Sequence, residues 1–167
     1  MKHVFFTTMK TMVLLSVAAF PFGLEAATLA PARSIFDLMH YREVIDVRIE
    51  ADLDELTENR RTESPVEGRL SFEDENGNLQ NWDIKVHLRG RFRRMFCAMP
   101  PLKIDFKKGQ LEKSGLLPFD DLNLVSHCLS ETTTAKNLLL REYLVYRLYN
   151  QITSYSFRVQ LARVTFH

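Results

Sequence analysis

Four arginines crowd one short stretch of this chain, Arg89, Arg91, Arg93 and Arg94, just ahead of Cys97 and with a second cysteine at Cys128. A guanidinium fork bonds two oxygens of a phosphate or carboxylate at once, so a cluster of this kind around Gly90 has the chemistry of an anion clamp. Phe92 and Phe96 are interleaved with the arginines, either to stack on a ligand or to anchor the loop. The competing reading is a solvated basic loop paired with acids such as Asp120 and Asp121, since charge runs usually face water. Joining Cys97 to Cys128 would close a loop of about 30 residues and add on the order of 3 to 4 kcal/mol in chain entropy. Two buried free thiols are the alternative to that bridge.

A second group of residues concerns charge pairing. Helical periodicity places Glu142 inside an apolar stripe, where a carboxylate is costly without a cation. Lys103 on a strand face and Arg89 at a strand end are the candidate partners, and a route past its neighbours to water is the other solution. His127 beside Cys128 lacks the short paired spacings of a structural zinc site, so no metal site is expected. There is no Walker loop, dinucleotide glycine motif, zinc-protease helix or nucleophile-elbow serine.

These residues sit in a chain that begins as an export signal. Lys2 and Lys10 supply positive charge, Met12 to Phe22 is mostly apolar, and Leu24-Glu25-Ala26 offers a small-residue cleavage site. Residues 1–26 are therefore expected to be a signal peptide, with a periplasmic or extracellular destination and no membrane span after cleavage. Export and a cysteine pair go together, because disulfides persist outside the cytosol. The whole chain has 22 basic and 21 acidic residues, and loss of Lys2, Lys10 and Glu25 leaves the two signs equal. Global charge thus predicts no nucleic-acid partner, and an anionic ligand or protein substrate is the expected partner of the local cluster.

The elements that must position the cluster follow from alternation. Residues 27–40 read as a mobile tether and 41–167 as one domain. Ile45, Val47 and Ile49 share one face of a strand, and Asp52 to Thr57 suggests a short helix or helical turn. Val66 to Phe72 and Trp82 to Leu88 alternate around Asn76-Gly77, which predicts a hairpin whose second strand runs its polar face into Arg89. Leu102, Ile104 and Phe106 predict the next strand, Lys107 to Leu117 a polar connection, and Asp121 to His127 a short strand. A long helix is expected from about Ser130, with Leu138, Leu139, Val145, Tyr146, Tyr149 and Ile152 buried on one side and Leu140, Leu144 and Leu148 on another. Phe157 to Phe166 reads as a closing strand with a bulge near Ala162. The fold class is α+β, a mostly antiparallel sheet with one long packed helix.

The order Val86-His87-Leu88-Arg89-Gly90, Pro101 to Phe106, Leu122 to Val125, Leu139 to Tyr146 and Phe157 to Val164 resembles the amino-terminal half of the spore-coat CotH-like kinase family. The resemblance implies an incomplete atypical kinase-like lobe, ATP with a divalent metal, and phosphorylation of secreted protein substrates. Arg89, Lys103 and Arg141 would then contact phosphate, while Arg91 is a phosphate candidate through the arginine cluster alone. The polar Asn-Ser pattern that follows Arg-Gly in that family is replaced here by Arg91-Phe92-Arg93, and no metal-binding or catalytic aspartates follow before His167. Phosphoryl transfer needs metal-held phosphates and a positioned base, so this chain alone is expected to be inactive and to bind nucleotide or phosphate at most. Its last residues, an alternating apolar strand, suggest either a truncated piece of a longer protein or a natural edge strand. The alternative function is a non-enzymatic secreted or envelope module that docks an anionic partner through the arginine loop.

Overall fold

The computed structural model describes residues 32–167 apart from 59, 63 and 129–131. The expected signal peptide, the start of the tether and the expected helix start at Ser130 lie outside the described residues. Six strands form one sheet in the order β5-β4-β3-β2-β1-β6: β1 Val44–Ala51, β2 Val66–Glu73, β3 Leu79–Leu88, β4 Leu102–Phe106, β5 Asp121–Leu124 and β6 Leu161–Phe166. Every neighbouring pair is antiparallel except β1 with β6. This is the α+β, mostly antiparallel architecture that the alternation predicts.

One face of the sheet is the core because each strand repeats its apolar residues every second position. Ile45, Val47, Ile49, Leu70, Phe72, Trp82, Ile84, Val86, Leu102, Ile104 and Phe106 are all buried there. The β2–β3 hairpin closes through Asp74 to Asn78, with Gly77 at φ 78°, a left-handed conformation that glycine adopts without steric cost. Gly68 answers a different need. A Cβ there would stand 2.5 Å from the Glu50 carbonyl oxygen and 2.9 Å from the Ala51 Cβ, so β1 and β2 meet as closely as they do only over a glycine. Gly68→Ala is expected to cost about 1 to 3 kcal/mol, since backbone must move, and urea denaturation measures it.

Of the first two short helices, one corrects the sequence reading and one meets it. Helix α1, Ile35–Met39, occupies part of the expected tether, and its Ile35 and Met39 are buried in the core. Helix α2, Leu53–Glu58, matches the expected turn and buries Leu56. Ser34 caps α1 in a reciprocal box: its hydroxyl accepts from the Asp37 N–H while the Asp37 carboxylate accepts from the Ser34 N–H at 2.7 Å. Arg158 then reaches the same carboxylate at 2.6 Å. Burial pushes the Asp37 carboxyl up, but the Ser34 hydrogen bonds and the Arg158 guanidinium outweigh it and hold the group at about 2, below its ordinary 3.8. A depressed carboxylate stabilises the fold above its unfolded value and loses that contribution as pH falls. Asp37 should therefore contribute about 2 kcal/mol at neutral pH that disappears between roughly pH 4 and 2, and the stability gap to Asp37→Asn should close over that window.

The remaining helices are α3 Arg93–Phe96, α4 Lys108–Lys113 and α5 Thr132–Ile152. Helix α4 lies within the connection read as polar and buries Leu111 completely. The long helix α5 is where expected, but it packs by one stripe only. Ala135 is buried, and Leu139, Tyr143, Tyr146 and Asn150 are half-buried, a set spaced by three and four residues. Leu138, Leu144, Val145, Leu148 and Ile152 are exposed, so the two-sided packing expected from periodicity is not realised. In β6 the six register pairs from Val44↔Leu161 to Ile49↔Phe166 run without interruption, so the expected bulge near Ala162 is instead the beginning of the strand.

Candidate functional site

The arginine cluster occupies the connection from β3 to β4, and that connection is built from its base upward. The Arg89 N–H donates to the Pro101 carbonyl at 2.7 Å, continuing the strand pairing one step past Leu88↔Leu102. Gly90, at φ 81°, then turns the chain. Its carbonyl accepts from the Arg94 N–H at 3.1 Å, the Met95 N–H donates to the Phe92 carbonyl at 3.0 Å, and the Cys97 N–H to the Arg93 carbonyl at 2.9 Å. The outcome is the single helical turn α3, which ends on Cys97.

Two fixtures hold this turn in place. Cys97 is buried and bonded to Cys128, which ties the turn to the chain beyond β5, so the bridge expected from compartment and count is present. Arg60 supplies the second fixture: its guanidinium donates to the carbonyls of Arg94 at 3.2 Å, Cys97 at 2.7 Å and Ala98 at 3.1 Å, and its Nε to Thr57 at 3.1 Å. A short helix leaves its last carbonyls unpaired, and a cation with several forked donors is well suited to satisfy them. Arg60→Ala should cost about 2 kcal/mol and speed amide exchange in the 93–98 turn, with Arg60→Lys restoring only part of the loss because one ammonium cannot span the carbonyls. Nothing in the local sequence around Arg60 announces this role, because it depends on a contact across more than thirty residues.

What the loop presents outward is cationic and aromatic. Arg89, Arg91 and Arg93 are exposed, and none forms a side-chain ion pair among the described residues. Phe92 and Phe96 stack on each other with ring centroids 4.3 Å apart, yet they remain 70% and 69% exposed. No acidic residue lies between Arg89 and Lys103. The aromatic pair therefore packs on itself and not into the core, and it lies among three exposed guanidinium groups, those of Arg89, Arg91 and Arg93.

The other expected phosphate ligands are not drawn to this loop. Lys103 stands on the polar face of the sheet, opposite His87, and its amine bonds Asp105 at 2.8 Å and Asp121 at 3.2 Å. His87 Nε2 lies 2.7 Å from the other oxygen of Asp105. The hydrogen bonds to Asp105 and Asp121 push the Lys103 amine up. Asp121 is pushed up by its hydrogen bond to Asp105 and by burial; Asp105 is raised by burial but held down overall by bonds from Asp121 and Lys103. Lys103 is thus committed to two carboxylates that the strand register brings beside it. Arg141 and Glu142 are both exposed on α5. Of the two solutions open to Glu142 the structure shows the route to water, and not burial against Lys103 or Arg89. Among the described residues no three His, Cys, Asp or Glu side chains converge as a cation site.

A recess on the polar face is lined by Asp46, Arg48, Glu50, Ser71 and Thr165, none of which belongs to the arginine loop. Comparison with known proteins returned no matching family model, no matching curated protein and no matching solved structure.

Proposed function

We propose that this chain is an exported anion-binding module whose ligand is taken up by Arg89, Arg91 and Arg93 on the disulfide-held loop. The observation that carries this reading is the combination of the exposed guanidinium groups of Arg89, Arg91 and Arg93, which form no ion pair among the described residues, with a loop fixed by Cys97–Cys128 and Arg60. A pre-ordered loop loses little conformational freedom when it binds, so more of the electrostatic attraction is retained as affinity. The disulfide fits a protein acting outside the cytosol.

The kinase-lobe reading receives less support. It asks Arg89, Lys103 and Arg141 to face one nucleotide, whereas Lys103 is bonded to Asp105 and Asp121 and Arg141 is exposed on α5. The experiment that separates the two is calorimetric titration of the purified protein with short inorganic polyphosphate and, in parallel, with ATP and magnesium. Binding of polyphosphate that weakens as salt is raised, without preference for the magnesium nucleotide, is the expected result. Selective binding of the magnesium nucleotide that survives high salt would favour the kinase-like lobe. Absence of binding to either ligand would end the anion-binding reading.

A further inference from the structure

The exposed aromatic pair makes the anionic partner more specific. Phe92 and Phe96 are 70% and 69% exposed, Met95 is 41% exposed, and the turn Arg93–Phe96, which Phe92 precedes and which carries the other two, has no buried residue. Large apolar side chains are left in water at a cost, and a cluster of them rimmed by cations is a mark of an interaction surface. We propose that the loop docks on the surface of an anionic phospholipid bilayer, with Phe92, Met95 and Phe96 entering the boundary between headgroups and acyl chains while Arg89, Arg91 and Arg93 bind lipid phosphates. The inference rests on the anion-binding reading and names its partner.

Two features favour a bilayer over a soluble polyanion or a folded protein. A soluble polyanion has no use for the apolar tip, because its contacts are with the arginines alone. A folded protein would need a pocket shaped to the stacked rings, whereas a lipid interface is fluid and receives a projecting apolar group without one. Attachment is peripheral in this scheme. Charge and insertion work together: each basic group near an anionic surface adds attraction, and the buried apolar area then slows release. The disulfide and Arg60 keep the rings and the guanidinium groups on one short turn, so both contacts form in a single approach.

The test compares three probes: vesicles of phosphatidylglycerol mixed with phosphatidylcholine, vesicles of phosphatidylcholine alone, and inorganic polyphosphate. The proteins are the unaltered chain, Phe92→Ser with Phe96→Ser, and Arg91→Glu with Arg93→Glu, each first shown by circular dichroism and thermal melting to be folded. The substituted side chains are exposed, so folding is expected to survive. Co-sedimentation with the anionic vesicles, little with phosphatidylcholine alone, and a partition coefficient reduced at least about tenfold in the phenylalanine variant are the expected results. Polyphosphate affinity should be nearly unchanged in that variant and reduced on the order of 100-fold in the arginine variant. Vesicle binding that is equal in the phenylalanine variant and the unaltered protein would overturn membrane insertion. Polyphosphate binding with no vesicle binding would overturn the lipid assignment and leave the anion-binding reading standing, and failure with every probe would overturn both.

Discussion

Reversal of two charges, Arg91→Glu with Arg93→Glu, is expected to weaken polyphosphate binding on the order of 100-fold while the melting temperature stays within a few degrees of the unaltered protein. The two effects separate because neither side chain has an ion-pair partner within the described protein, so removing it breaks no internal interaction. An exposed cation near an anion is worth up to about 1 kcal/mol, and a reversal both removes that attraction and adds repulsion. Two reversals therefore amount to about 3 kcal/mol, which is roughly 100-fold in affinity. Lys103→Met is the informative control. Its amine is already held by Asp105 and Asp121, and its loss should change affinity by no more than about twofold. Titration calorimetry at one fixed salt concentration measures both variants.

Removal of the disulfide is the second large effect. Cys97 and Cys128 are 31 residues apart in sequence, and opening a loop of that length returns on the order of 3 to 4 kcal/mol of chain entropy to the unfolded state. Alanine replacements are preferable to serine, because Cys97 is buried and a hydroxyl there would add its own desolvation cost. Urea denaturation of Cys97→Ala with Cys128→Ala should show that loss, and the same loss should follow reduction of the unaltered protein. Affinity for polyphosphate should also fall, by about tenfold, because the loop must then be ordered by the ligand and not in advance. Stability equal to that of the bridged protein would mean that the fold holds the loop without the covalent tie.

Much of the sheet is legible in the sequence because strand burial follows period two. Ile45, Val47 and Ile49, and the set from Trp82 to Val86, alternate without exception, and the Asn76-Gly77 turn fixes their hairpin. Helices α1 and α4 are too short to show a period, and each is revealed only by where Ile35 or Leu111 packs. Helix α5 shows the opposite difficulty. Its leucines are spread around most of the cylinder, so periodicity indicates apolar faces without telling which one meets the protein. Of the site, the arginine cluster and its paired cysteines are visible as composition and spacing. The link from Arg60 to the Cys97 carbonyl, and the Lys103 pairing with Asp121, depend on contacts that only the folded chain creates.

Whether the loop, and not the charged face of the sheet, takes up the anion is tested most directly by the salt dependence of binding. The logarithm of the affinity for polyphosphate, followed against the logarithm of salt concentration, falls with a slope set by the number of cationic contacts that release counterions. The unaltered protein should give a slope of about −2 to −3, for contacts from Arg89, Arg91 and Arg93, and the Arg91→Glu, Arg93→Glu protein a slope near zero. An unchanged slope in that variant would contradict the assignment and place the anion elsewhere on the molecule.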